Sequence, residues 1–165
     1  MRVFDDQLTA AEKKVVEKQR PDEQKMEHTL QMFWSLKEAY TKGRGDGLGF
    51  EFNRCEFRVG DVEQGSAGQA VQHATVSVDR SSLNTWRFFM QPAEEPGHWI
   101  SVARGRPGDV VDANGAFKAT FRETLDKARL QAELGRLEPP FEKKRICDLL
   151  ADDAVDTYRA KLKEP

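Results

Sequence analysis

Apolar residues recur at helical spacing from Asp22 onward, with Met26, Leu30, Phe33, Leu36 or Lys37, and Tyr40 on one stripe and Gly43 as a stop. The spacing predicts a helix over 22–43. Upstream, Thr9 followed by Glu12 has the form of a capping box, which starts a first helix carrying Val15 and Val16 until Pro21 interrupts it. That segment is poor in apolar residues, so 1–20 is expected to dock loosely. Between Gly43 and Gly49 every second residue is glycine, which predicts a flexible connection or a loop lined by backbone.

Beyond the glycines the apolar period changes to two. Phe50 and Phe52 alternate, then Cys55, Phe57 and Val59 alternate in the opposite phase, a shift that predicts a bulge near Asn53 and Arg54. Further strands are expected over 71–78, 85–90 and 98–102. The links at 60–69, 79–84 and 91–97 are too short for helical crossovers, so the four strands form an antiparallel meander. After the Gly105-Arg106-Pro107-Gly108 turn, Asp112 or Asn114 can cap a helix with Phe117, Phe121, Leu125 and Ala128 on one stripe, ending near Gly135. Pro139-Pro140 separates it from a last helix whose inward face is Ile146, Leu150, Ala154, Tyr158 and Leu162. The fold class is therefore α+β, in the order α-α-β-β-β-β-α-α, as one domain over 1–165.

Simple hairpin pairing places Cys55, Phe57, Val59, Ala74, Val76, Val78, Trp86, Phe88, Met90, Ile100 and Val102 on the core face. Trp86, Phe88, Ile100 and Val102 should lie beneath the helix carrying Phe117 and Phe121, because two apolar stripes of different period need one another's surface. The opposite face brings His73, Phe89 and Trp99 side by side across three strands, with Arg87 one pleat away. This patch combines aromatic area, a forked cation and a titratable ring, and is the candidate binding surface.

Composition narrows the classes. The chain has 165 residues, of which 33% are charged, and 26 basic against 28 acidic residues give a net charge of -2. That is enough chain for one core, and it lacks the basic excess that binding a phosphate backbone calls for, so nucleic acid is an unfavoured partner. The two cysteines, Cys55 and Cys147, have no paired spacing and read as reduced thiols of a cytoplasmic protein. No apolar run reaches the roughly 20 residues of a membrane span. Between Lys42 and Lys118 every basic residue is arginine, and Arg104 and Arg106 flank a turn where they can meet an anion.

No nucleophile elbow, metalloprotease or phosphate-loop motif occurs, and the glycine segment runs from helix to strand, the reverse of a phosphate loop. The three histidines are too scattered for a metal site, and no cofactor is implied. The absent motifs favour a non-enzymatic protein-interaction or adaptor module that presents its sheet face or a helix groove to a protein partner, with a homodimer as a further arrangement. The alternative is a binder of an anionic small molecule, or a small enzyme, with a pocket between sheet and helices lined by Trp86, Phe88 and His98. RNA binding by stacking on Phe89 and Trp99 is a third reading. A deep pocket beneath the helices would speak for the second, and a filled core for the first.

Overall fold

The computed structural model describes residues 6–64, 70–115, 118–121, 124–136, 141 and 143–161. Helix α1 spans Ala10–Glu17, opened by the capping box in which the Thr9 hydroxyl accepts the Glu12 N–H and the Glu12 carboxylate accepts the Thr9 N–H. Helix α2 runs over Glu23–Arg44, with the Asp22 side chain taking the Lys25 N–H at its start and Gly45, at φ 76°, closing it in the left-handed region. Gly43 therefore stays inside the helix, one residue before its last. Its lack of a side chain serves packing: a Cβ there would lie 3.1 Å from Cζ3 of Trp86.

After short 3-10 turns at Gly47–Gly49 and Phe52–Arg54 come strands β1 (Cys55–Gln64), β2 (Ala70–Val78), the two-residue β3 (Ser81–Ser82), β4 (Trp86–Pro92) and β5 (Trp99–Gly105). The sheet is antiparallel in the order β1-β2-β4-β5, with β3 pairing to β2. The α+β class and the meander are as expected. The phase change near Asn53 is made by the 3-10 turn before β1, and the irregularity in pairing falls between Val59 and Val62 instead.

Three strands have the expected phase. Cys55 pairs with Val78, Phe57 with Val76, Val59 with Ala74 and Ala74 with Phe88. Strand β5 is inverted, since Phe88 faces Ala103, Met90 faces Ser101 and Trp86 faces Gly105. Ile100 and Val102 thus point away from the core, and Trp99, Ser101, Ala103 and Gly105 point into it. The reason is steric. Helix α2 packs closely across this strand, with the Ser35 hydroxyl 2.8 Å from that of Ser101, and a Cβ at Gly105 would come within 2.6 Å of the Trp86 ring. Beyond Trp99 the inner face is small because α2 needs the space at Ser101 and Ala103 and the Trp86 ring needs it at Gly105, and the branched residues take the outer face.

The cover over the core is α2. Tyr40 meets Trp86 edge-on at 5.0 Å between centroids and Phe50 at 5.6 Å, and Phe57 meets Phe88 at 4.9 Å. The expected cover by the helix after Asp112 is corrected: helix α3 is only Lys127–Gly135, Phe121 is exposed, and Phe117 lies outside the described residues. Helix α4 spans Asp152–Lys161, while Ile146 sits in a separate 3-10 turn and is exposed. Leu162 is also outside the described residues. With α2 occupying the apolar face of the sheet, α3 is tied to the reverse side, where Arg104 donates to the carbonyls of Glu133 (3.3 Å) and Arg136 (2.6 Å).

Both cysteines are free thiols. Cys55 is fully buried, and burial pushes its thiol up to about 11, whereas Cys147 is half-buried. A thiol-labelling time course on the native protein at pH 8 is therefore expected to show Cys147 reacting first and Cys55 reacting only on unfolding. Equal rates would mean that β1 opens in the native state.

Candidate functional site

Lysine 37 sits on the core side of α2 with no exposed surface. Its ammonium lies 2.9 Å from a carboxylate oxygen of Glu12, also fully buried, and donates to the carbonyls of Phe52 (2.8 Å) and Cys55. Glu12 in turn accepts the N–H groups of Thr9 (2.9 Å) and Phe57 (2.8 Å). A buried ion pair survives only when its remaining lone pairs and protons are satisfied, and here the backbone of three segments does that. α1, expected to dock loosely, is held to α2 and β1 through this pair, and by Leu8 and Val16, both buried.

The next residue along, Glu38, turns outward. At four-residue steps, Trp34, Glu38 and Lys42 share the outer stripe of α2. Lys42 lies 3.5 Å from the Glu38 carboxylate and is largely exposed, while Glu38 is one-third exposed. The Trp34 ring is 36% exposed and meets Phe52 edge-on at 5.2 Å. One segment of helix therefore offers a carboxylate, an ammonium and an indole to the outside while its inward lysine is consumed by structure. Such a row can bind a phosphate oxygen, take a proton or hold part of a cation's charge. Among the described residues there is no group of three or more His, Cys, Asp or Glu able to hold a metal ion.

The glycine-rich connection is pinned to the chain that follows the sheet. The Arg44 carbonyl accepts from Val111 (2.8 Å) and Asp112 (3.1 Å), and that of Gly45 accepts from Ala113 (2.8 Å). Arg44 itself donates to the Tyr40 hydroxyl at 2.9 Å and pairs with Asp46.

The residues singled out from the sequence do not assemble as one patch. His73 and Phe89 are neighbours, with ring centroids 5.0 Å apart, but Phe89 is buried and the Arg104 guanidinium lies over it at 4.9 Å. Arg87 folds back on the carbonyls of Trp86 and Asn84. Trp99, through the inverted phase of β5, is on the α2 side, where its Nε1 donates to the His28 carbonyl at 3.1 Å and its ring lies 4.6 Å from the His28 ring. Arg104 and Arg106 part company as well: Arg106 donates from Nε to Asp109 at 3.0 Å.

Nor is the space between sheet and α2 a pocket, for Trp86, Phe88 and Met90 fill it. His98 instead lines a cavity of about 580 Å³ beside the β4–β5 link, and a second cavity of about 630 Å³ lies between α1 and α2. Trp34, Glu38 and Lys42 were missed by the sequence reading. The available signal was a charged residue, Lys37, in an apolar stripe, with Glu38 and Lys42 in phase on the other side.

Residues 1–103 match the family model of the 4'-phosphopantetheinyl transferase superfamily. The chain is 44% identical over 112 residues to the 4'-phosphopantetheinyl transferase pptA of Paxillus involutus, which covers 65% of this chain and 38% of that protein. It is 35% identical over 92 residues to the L-aminoadipate-semialdehyde dehydrogenase-phosphopantetheinyl transferase of Mus musculus, covering 54% and 29% respectively. To the protein of the same name from Homo sapiens it is 33% identical over 81 residues, covering 47% and 26%. The chain thus spans between 26% and 38% of the length of these relatives. The matched stretch takes in α1, α2 and nearly all of the sheet. A family named for group transfer overturns the expectation of a non-enzymatic interaction or adaptor module, and with it that of RNA binding. The filled core did not discriminate between the two readings, since it stands beside a match to a family of transferases. With well over half of its length inside the matched region, the chain belongs to the 4'-phosphopantetheinyl transferase superfamily.

Proposed function

We propose that this chain works in 4'-phosphopantetheinyl transfer, from a coenzyme A donor to a hydroxyl group of a carrier protein. The observation that carries the reading is that the family match spans the α2 outer stripe, where Trp34, Glu38 and Lys42 stand in one row on a helix fixed from behind. In such a transfer the hydroxyl oxygen forms a bond to the phosphorus of the phosphopantetheinyl group, the bond from that phosphorus to the donor's bridging oxygen breaks, and the hydroxyl proton must leave. Positioning and charge compensation supply most of the catalysis of phosphoryl transfer. Lys42 is suited to meet a phosphate oxygen, and Glu38 to take a proton or balance a cation. A divalent ion at this site would take its ligands from one or two carboxylates, Glu38 among them, and from the phosphates of the donor.

On this reading the protein partner expected from the sequence is the carrier protein, and the anionic small molecule is the donor. The stripe on α2, rather than Arg104 and Arg106, receives the anion. The free thiols of Cys55 and Cys147 fit the cytoplasmic placement. No helix among the described residues is long and apolar enough to cross a membrane.

Mass spectrometry of a carrier protein incubated with coenzyme A and the chain tests this. Glu38→Gln is expected to lower turnover roughly 100-fold, the scale of losing a proton-transferring group, while leaving the melting temperature in place. Full turnover by a stable Glu38→Gln protein would remove the stripe from the chemistry.

A further inference from the structure

We infer that Glu12 and Lys37 are positioning residues for the outer stripe of α2, an inference that rests on the reading of that stripe as the transfer site. The geometry is specific. Phe52 is held from two directions, its carbonyl by the Lys37 ammonium at 2.8 Å and its ring edge-on against Trp34 at 5.2 Å. Lys37 reaches the Cys55 carbonyl as well, and Glu12 takes the N–H of Phe57, so the pair clamps both the turn at Phe52–Arg54 and the start of β1. The clamp acts on the rotation of α2 about its own axis. Successive residues of a helix are about 100° apart, so a fixed direction for Lys37 also fixes the direction of Glu38 beside it.

Stability alone gives little reason for this arrangement. A buried ion pair is commonly no more stable than apolar residues of the same volume, while its partners and angles are far more exacting. The apolar stripe of Met26, Phe33, Leu36 and Tyr40 already seats α2 on the sheet. That stripe would tolerate a small roll or slide of the helix, whereas an ammonium shared between a carboxylate and two carbonyls would not. Displacing a substrate-binding group by as little as 1 Å can cost a large factor in rate.

The test compares wild-type chain with Lys37→Met and with the double variant Glu12→Gln/Lys37→Met, which strands no buried charge and carries the test where the single variant does not fold. Two measurements are made: the three indole N–H resonances by 15N–1H NMR, and kcat and KM for transfer from coenzyme A. The expected result is a shifted or broadened Trp34 indole with those of Trp86 and Trp99 in place, together with a kcat 10- to 100-fold lower and a donor KM within about two-fold. An unmoved Trp34 resonance with wild-type kcat in a folded variant overturns the inference. So does a KM that rises many-fold at unchanged kcat, since Lys37 would then touch substrate itself. Absence of any transfer by the wild-type chain would defeat the functional proposal, and the indole comparison would still decide whether the buried pair sets the stripe.

Discussion

Truncating Phe88 to alanine is expected to lower the free energy of unfolding by about 3–5 kcal/mol, read as a shift in denaturant midpoint at unchanged slope. Phe88 has no exposed surface, and its ring is surrounded by three others, with Phe57 at 4.9 Å, Tyr40 at 6.1 Å and Trp86 at 6.2 Å between centroids. Tyr40 comes from α2, Phe57 from β1 and Trp86 from β4 itself. Removing the central ring leaves a space that all three elements border, and the crossing of helix on sheet holds them too far apart to close it. A loss below about 1 kcal/mol would mean that α2 settles into the gap, and that the aromatic cluster is less tightly packed than the ring distances show.

Replacing Lys37 by methionine is expected to cost a similar amount, about 3–5 kcal/mol, for a different reason. The methionine fills most of the same volume, so little packing is lost. What remains is the Glu12 carboxylate, fully buried, with two backbone N–H groups and no countercharge, and the carbonyls of Phe52 and Cys55 without the ammonium, that of Phe52 keeping the Cys55 N–H. Pairing the change with Glu12→Gln is expected to recover a large part of the loss, because the stranded charge goes while the amide oxygen can still accept from the backbone. Lys42→Met, one turn and a half along on the exposed stripe, should change stability by no more than about 0.5 kcal/mol. Were Lys37→Met as mild as Lys42→Met, the carboxylate of Glu12 would have to reach water, and α1 could not be seated as described.

The two residues also show where sequence reasoning about the site ran out. Lys37 occupied a position in the apolar stripe that Leu36 could equally claim, and a lysine in that place reads as the edge of the buried face. That it is central depends on Glu12, 25 positions away on another helix, and on two carbonyls from a turn that no periodicity announces. The sheet patch failed in a comparable way. His73 and Phe89 were placed together correctly because β2 and β4 kept their phase. Trp99 was lost to the patch because β5 did not.

The local order of the chain was written in its sequence. The capping box at Thr9, the stripe of α2, the period-two runs and the short links were enough for an α+β meander with helices at both ends, since each depends only on residues a few positions apart. The tertiary structure alone decided which face of β5 meets the helix, which helix covers the sheet, and which charges are buried. Strand phase along Trp99–Gly105 was ambiguous because Ile100 and Val102 are the more apolar set, yet the close approach of α2 selects the smaller Ser101 and Ala103, and the Trp86 ring selects Gly105. The stripe of α2 took the sheet's apolar face, which left the segment after Asp112 no surface on which to complete a long helix. Whether a charge is a solvated group or a clamp is a matter of which distant backbone groups surround it, and that is settled only when the layers pack.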